Sequence, residues 1–235
     1  MISIIIPAHN EKENLENLLG HLGGMELSDV EIIVALSGTT NDGSQELLTP
    51  VQVNYLNCIG CGRALQMNEA SQMAKGVTLV FLHADVIPPK NFLTDIKNTI
   101  SKGYDAGFFS YRFDKKSILL KINASFTAKD GIFTGGGDQC LFIKKSIFDS
   151  LNGFDENQVV MEDFEFFERM KKNKVSYRII KNDLIVSARK YQHNSYIRVN
   201  LSNLLLVMLF KLGYPAHKLK SLHGKLIRTP YQNPS

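Results

Sequence analysis

A chain of 235 residues is long enough to bury a full core, and with no linker in its middle it fits one large domain. Hydrophobic residues at 44% and charged residues at 21% exclude a disordered chain, and three cysteines that cannot all pair exclude a disulfide-stapled scaffold. The net charge of +4 hides an asymmetry: no acidic residue follows Asp183, while the last 52 residues hold Arg189, Lys190, Arg198, Lys211, Lys218, Lys220, Lys225 and Arg228, leaving the tail at +8 and the body at −4.

The chain opens on the β-branched run Ile2 to Ile6, bounded by Pro7, which predicts a buried strand. No basic stretch precedes this run and no small-residue cleavage site follows it, so it is not a signal peptide and the expected address is the cytoplasm. Leu15, Leu18, Leu19 and Leu22 then recur at helical spacing over Glu11 to Leu22, with Asn10 placed to cap the helix. The alternation continues: strand 30–36, short helix 42–48, strand 51–56, helix 63–74, strand 77–82 and helix 91–100. Strands that alternate with helices predict a parallel sheet covered on both faces.

From Gly107 the pattern is mixed. A strand over 108–113, a helix over 116–128, the cluster Gly135, Gly136 and Gly137, and a short strand over 139–143 are expected. Helices over 144–151 and 162–172 follow, then strands over 175–180 and 184–187. The helix 196–212 carries an apolar run, 204–210, that is shorter than the ~20 residues a membrane span needs. It is expected to pack on the body or to lie on a membrane surface.

In open parallel sheets ligands bind beyond the carboxyl ends of the strands. That rule selects four segments: 7–11, 37–42, 58–63 and 83–88. Cys58 and Cys61 form a Cys-x-x-Cys in one of them, but a zinc site needs a second ligand pair at similar spacing, so they read as loop thiols.

Two acidic sites stand out. Asp85, in His83-Ala84-Asp85 after the apolar strand Leu79 to Leu82, reads equally as a turn residue and as a ligand for Mg2+ or Mn2+. Asp163, in Met161-Glu162-Asp163, opens a helix, where acids are expected from capping and the helix dipole alone. Its interest lies in the pairing of a metal-ready carboxylate in one half of the chain with a base-ready one in the other.

The ordered series Ser3 to Glu11, Glu31 to Val34, Gly62 to Asn68, Phe81 to Asp85, Gly137 to Gln139, Gly153-Phe154 and Met161 to Asp163 resembles the family 2 glycosyltransferases, and within them a small bacterial non-processive subgroup. The resemblance runs from Ser3 to about Tyr191. It implies an α/β fold of GT-A type, a nucleotide-diphospho-sugar transferase sandwich with a mostly parallel central sheet, here followed by a C-terminal helical tail. Residues 1–191 would form the transferase domain, with 1–105 as the nucleotide-binding half and 106–191 as the acceptor and catalytic half, and 192–235 would be a basic helical extension packed on it.

Carried over by this resemblance, Pro7, Ala8, His9, Asn10 and Glu11, with Gly38, Arg63, Asn68 and Ala84, would contact the nucleotide. Asp85 would hold the metal, Mg2+ or Mn2+, on the diphosphate. Asp163 would be the catalytic base of an inverting, single-displacement transfer, and Gly137, Asp138, Gln139 and Glu162 would shape the sugar and acceptor side.

Two positions depart from the family pattern. Ala35 to Gly38 lacks the acid that usually follows the second strand and binds the base, which leaves the donor's base open, and His83 stands where the first Asp of Asp-x-Asp is expected. His193 is a minor candidate for the second metal position. The partners implied are a nucleotide-diphosphate sugar and a hydroxyl acceptor, lipid-linked ones included. The basic tail adds contact with donor phosphates or an anionic membrane, against the plainer reading of a solvated basic face. Nucleic acid is excluded for want of stacking aromatics and a binding motif. A non-catalytic sugar-nucleotide binder and a sugar-nucleotide nucleotidyltransferase are the alternatives, the second disfavoured because no glycine-rich basic loop follows the first strand.

Overall fold

The computed structural model describes residues 1–131 and 134–227; Arg228 lies outside the described residues. Strands β1 (Ile2–Ala8), β2 (Val30–Leu36), β3 (Asn54–Asn57) and β4 (Thr78–Phe81) run parallel and alternate with helices α1 (Lys12–Leu22) and α2 (Arg63–Met73). After the short strand β5 (Val86–Ile87) come α3 (Phe92–Ser101), β6 (Ala106–Phe113), α4 (Ile118–Ser125), β7 (Phe142–Lys144), α5 (Lys145–Ser150), α6 (Glu162–Lys172) and β8 (Tyr177–Val186). Helices α7 (Tyr196–Lys211) and α8 (Ala216–Leu226) follow.

All eight strands form one sheet in the order β3-β2-β1-β4-β7-β6-β8-β5. Only β7 and β5 run against the rest, because β7 pairs antiparallel with both β4 and β6 and β5 pairs antiparallel with β8. The carboxyl ends of β1, β2, β4, β6 and β8 therefore share one edge of the sheet, which is where an α/β fold gathers its ligands.

Side-chain alternation along each strand splits the core in two. Ile4 and Ile6 face the side covered by Leu15, Leu18, Leu19 and Leu22 of α1, whereas Ile5 faces Met67 and Ala70 of α2 and Phe166 of α6. On that second side Phe81, Phe148, Phe154 and Phe166 form a ring cluster, with Phe81 5.0 Å from Phe154 and Phe154 4.9 Å from Phe166. Phe166 is fully buried, and this anchor fixes the first turn of α6 against β4. Emptying such a site costs about 3–5 kcal/mol for Phe→Ala.

Several elements differ from the sequence reading. The helix expected over 42–48 is a single 3-10 turn, Ser44–Glu46, and the strand expected over 51–56 begins at Asn54. Gln139 belongs to a 3-10 turn, Gly137–Gln139, and the strand begins at Phe142. The two strands expected over 175–180 and 184–187 are one, β8, running straight through Asn182 and Asp183. Those turn-prone residues are tolerated because Asn182 donates to Asp95 at 2.6 Å, Asp183 accepts from Ser110, and the ladder with β6 shifts register there. Helix α8 falls within the helical extension expected over 192–235.

The cap of α1 is also a correction. Asn10 does not cap the helix: it takes a left-handed backbone (φ 53°), and its Oδ1 accepts from the Asn41 amide at 2.9 Å. The first helical amide, Lys12 N, donates instead to Oδ2 of Asp42 at 2.8 Å. Burial opposes the charge of Asp42, but the Ser44 hydroxyl and the Lys12 amide outweigh it and lower its pKa. Asp42→Ala is expected to cost ~1 kcal/mol, as loss of a capping carboxylate does. A lowered folded-state pKa makes this contribution present at neutral pH and lost as pH falls through the carboxylate range, so urea unfolding should show the gap between variant and parent closing in acid.

Candidate active site

A cavity of about 640 Å³ lies at the carboxyl edge of the sheet, within the ~300–1,000 Å³ typical of ligand sites. Its polar wall is made of Arg63, His83, Asp85, Asp138, Asp163, Arg189 and Lys190. Asp85 comes from the loop after β4, Asp163 from the first turn of α6, and Arg189 and Lys190 from a 3-10 turn just after β8. Residues 78 positions apart, Asp85 and Asp163, thus line one space.

The wall is a chain of charge pairs. Arg189 Nη2 lies 3.0 Å from Glu11 Oε1 and 3.1 Å from Asp85 Oδ2, so one guanidinium ties the loop after β1 to the loop after β4. Lys190 Nζ stands 3.6 Å from Asp138 Oδ2, and His83 Nδ1 stands 3.8 Å from the other oxygen of that carboxylate. Burial alone would raise Asp138, but Lys190, His83 and Arg63 outweigh it and hold its pKa well below the usual carboxylate range. Burial likewise opposes protonation of His83, and Asp138 and Asp163 overcome it, so the imidazole pKa is raised.

Arg63 Nε sits 2.7 Å from Oε1 of Glu162, which is 2% exposed. That oxygen is close to its partner but poorly aligned for a hydrogen bond, so the pair is held by charge. The neighbouring Asp163 is different. Burial first, and then the Glu162 charge, push its pKa up to about 6, while Arg63 and His83 pull the other way. A carboxyl tuned toward neutrality in a cleft is a common mark of proton-transfer groups.

Gly137 is wedged into this constellation. A methyl group on it would lie 2.5 Å from Oδ2 of Asp163 and 2.7 Å from Nε2 of His83, closer than real side chains approach. Only glycine leaves these two groups facing one another across so small a gap.

Pro7 and Ala8 are buried at the end of β1, Ala84 is buried in the turn between β4 and β5, and His9 and Asn10 are exposed in the loop after β1. None of these lines the cavity, and the loop meets it through Glu11 and Arg189. Gly38 allows close approach of two loops, since a methyl there would lie 2.8 Å from the Cys58 carbonyl. Asn68 turns to other work: it donates to Phe154 O at 2.9 Å, accepts from Phe154 N at 2.9 Å, and lines a separate shallow pocket. Gln139 lines the cavity yet is 1% exposed, bonded to Gly135 N and Thr127 O, and so braces the glycine loop. His193 is exposed and not among the cavity's residues.

Sequence reasoning missed the apolar and aromatic wall: Tyr111, Phe113, Phe126, Tyr191, Tyr196 and Leu201, with His223 from α8. The aromatics lie too far apart in the chain to signal a shared surface. Helix α8 was legible in principle, since Leu219, Leu222, His223 and Leu226 keep helical spacing after Pro215.

The sequence pattern of the family described as "Glycosyl transferase family 2" matches residues 3–151. The chain belongs to that family. It is therefore a glycosyltransferase by family, with the α/β sheet and helices described above. Among solved structures it is similar to TarS of S. aureus (TM-score 0.65, 14% identity, 96% of this chain and 42% of that one). It also resembles TarS 1-349 in complex with UDP-GlcNAc (TM-score 0.62, 15% identity, 96% and 71%). A third is the mannosyltransferase PcManGT from Pyrobaculum calidifontis in complex with GDP-Man and Mn2+ (TM-score 0.63, 18% identity, 96% and 68%). The chain spans less than half the length of the first of these TarS chains. No curated protein sequence matches it. At these identities the solved structures establish the shared fold alone.

Gly137→Ala is expected to lower turnover about 10²-fold by moving Asp163 and His83 apart, with the fold retained. Donor hydrolysis measured beside circular dichroism checks both halves of that statement.

Proposed function

We propose that this chain transfers a sugar from a nucleotide-diphosphate donor to a hydroxyl acceptor by a single displacement that inverts the anomeric centre, with Asp163 as general base. One observation carries the reading: Asp163, its pKa raised to about 6, faces the same cavity as Asp85 and the cationic pair Arg189 and Lys190. In this reading residues 1–105 serve the nucleotide and 106–191 the acceptor and the proton transfer.

The acceptor's oxygen attacks the anomeric carbon as the bond from that carbon to the diphosphate breaks. Its proton passes to Asp163, help worth about 10²–10⁴ in rate. Gly137 keeps the approach to that carboxylate open. Arg63 holds Glu162 in place beneath it, and Arg189 and Lys190 offer positive charge to the departing nucleoside diphosphate.

The charge count of the cleft bears on the metal. Among the described residues Asp85, Asp138 and Asp163 line the cavity with Arg63, Arg189 and Lys190, and Glu162 and Glu11 already engage Arg63 and Arg189, so an incoming diphosphate meets little uncompensated positive charge. Among the described residues no group of three or more His, Cys, Asp or Glu side chains forms a ready-made metal cage. The charge balance suits Mg2+ or Mn2+, which keeps its waters and takes one or two carboxylates plus substrate phosphates. Asp85 would hold that cation, which when bound neutralises charge on the leaving diphosphate as a Lewis acid.

Asp163→Asn should reduce turnover about 10²–10⁴-fold while leaving nucleotide-diphosphate binding intact by thermal shift. Because the base works ionised, kcat/KM should fall as pH drops through about 6, and this limb should vanish in the Asn variant. A product with the donor's own anomeric configuration would end the single-displacement reading. Chelation and Asp85→Ala should each weaken donor binding. If both leave it unchanged, the metal assignment is wrong.

A further inference from the structure

Helix α7 has no single polar face: apolar residues run all round it, interrupted by Arg198, Asn200, Ser202, Asn203 and Lys211. It is covered on one side only. Val199, Ser202, Leu206 and Val207 are buried against the body, while Ile197, Leu201, Leu204 and Met208, at the i, i+4, i+7, i+11 spacing of one helix face, point to solvent. Helix α4 continues this surface. Asn123 donates to Asn200 at 2.9 Å and the Tyr196 hydroxyl to the Leu119 carbonyl at 3.1 Å, so the two helices lie side by side. Ile118, Leu119 and Ile122 of α4 are exposed there, with Phe126 just beyond its end. Individual exposures across this surface run from 37% for Leu204 to 80% for Ile118. An apolar patch of this extent marks a binding surface.

Two further observations bear on its partner. The first is charge. Lys121 lies one turn from Ile118 on α4, Lys211 continues the row of Leu204 and Met208 on α7, and Lys218, Lys220 and Lys225 are exposed on α8, with no acidic residue anywhere in α7 or α8. A second copy docked by two-fold symmetry would set cations against cations, whereas an anionic bilayer is complementary to both the charge and the apolar stripe. The second is continuity with the site. Phe126, Leu201 and Leu204 are exposed on the patch and also line the cavity that holds Asp163.

We propose that the α4–α7 surface docks on an anionic lipid bilayer, and that the cavity receives from that bilayer an amphiphilic acceptor whose hydroxyl reaches Asp163 while its apolar chain follows Phe126, Leu201 and Leu204. The second half rests on the transfer reading above; the docking does not. Chemically the step is unchanged: the lipid's hydroxyl oxygen gains the anomeric carbon, its proton goes to Asp163, and the nucleoside diphosphate leaves with the bonding pair.

The full chain should sediment with vesicles of phosphatidylcholine containing about 30% phosphatidylglycerol, and much less with phosphatidylcholine alone or in high salt. Ile197→Glu/Met208→Glu, neither residue lining the cavity, should cut the bound fraction about tenfold while melting and nucleotide-diphosphate binding stay as in the parent. Should that variant fail to fold, Lys211→Glu/Lys218→Glu supplies the same readout through charge. Parent protein that stays in the supernatant, or variants that sediment like the parent, overturn the docking. So does light scattering that shows a dimer dissolved by Ile197→Glu/Met208→Glu, which would assign the surface to a second copy. For the acceptor, octyl glucoside below its micelle concentration should perturb the tyrosine fluorescence of the cavity and glucose should not. Equal responses to the two overturn the lipid acceptor and leave sugar transfer, tested separately through Asp163→Asn, standing.

Discussion

Three carboxylates, Asp85, Asp138 and Asp163, line one cleft, two more, Glu11 and Glu162, stand behind its wall, and the molecule is arranged to keep all five there. Glu11, Asp85, Asp138, Glu162 and Asp163 arrive from four separate stretches of chain, and Arg63, Arg189 and Lys190 are interleaved with them so that Glu11, Asp85, Asp138 and Glu162 each lie against a cation. Asp163 has the weakest compensation, and its pKa is raised. The difference follows from geometry: the nearest guanidinium, Arg63, is directed at Glu162 next door, so Asp163 feels burial and a like charge more than it feels the cation. Removing a charge from such a buried set unbalances every other member, which is why the parts of the cleft cannot be read one residue at a time.

Much of the fold was legible. Sequence pattern located β1, α1, β2, α2, β4 and α3 within a residue or two, because β1, β2 and β4 are apolar runs that the sheet buries and α1 and α3 each keep one apolar stripe. The errors fall where a tertiary partner overrides local preference. Asn182 and Asp183 favour a turn in isolation, and Asp95 and Ser110 hold them in a strand. Asn10 has the right side chain to cap α1, and Asp42, from a loop distant in sequence, does so instead. No single-sequence pattern encodes either exchange.

The site was legible in a different manner. Asp85, Arg63, Asp138 and Asp163 were singled out from ordered fragments, and they line one cavity. Asn68 and Gln139 came from the same fragments, yet both are bonded to main chain and brace loops. A motif marks the residues a fold must retain, and it does not separate those that meet a ligand from those that hold a loop still. The apolar wall from Tyr111 to Leu201 left no motif at all, since aliphatic and aromatic residues in helices and strands read as core until coordinates show which of them look into a void.

The carboxylate of Asp42 on the first amide of α1, with the Asn41 amide on Asn10, joins the loops after β1 and β2 into a single stitched lip. Two loops that would otherwise fluctuate independently are frozen together before any visitor arrives. Whatever lodges against that lip meets a surface whose disorder was already spent during folding, so the ordering cost of capture falls on the visitor alone.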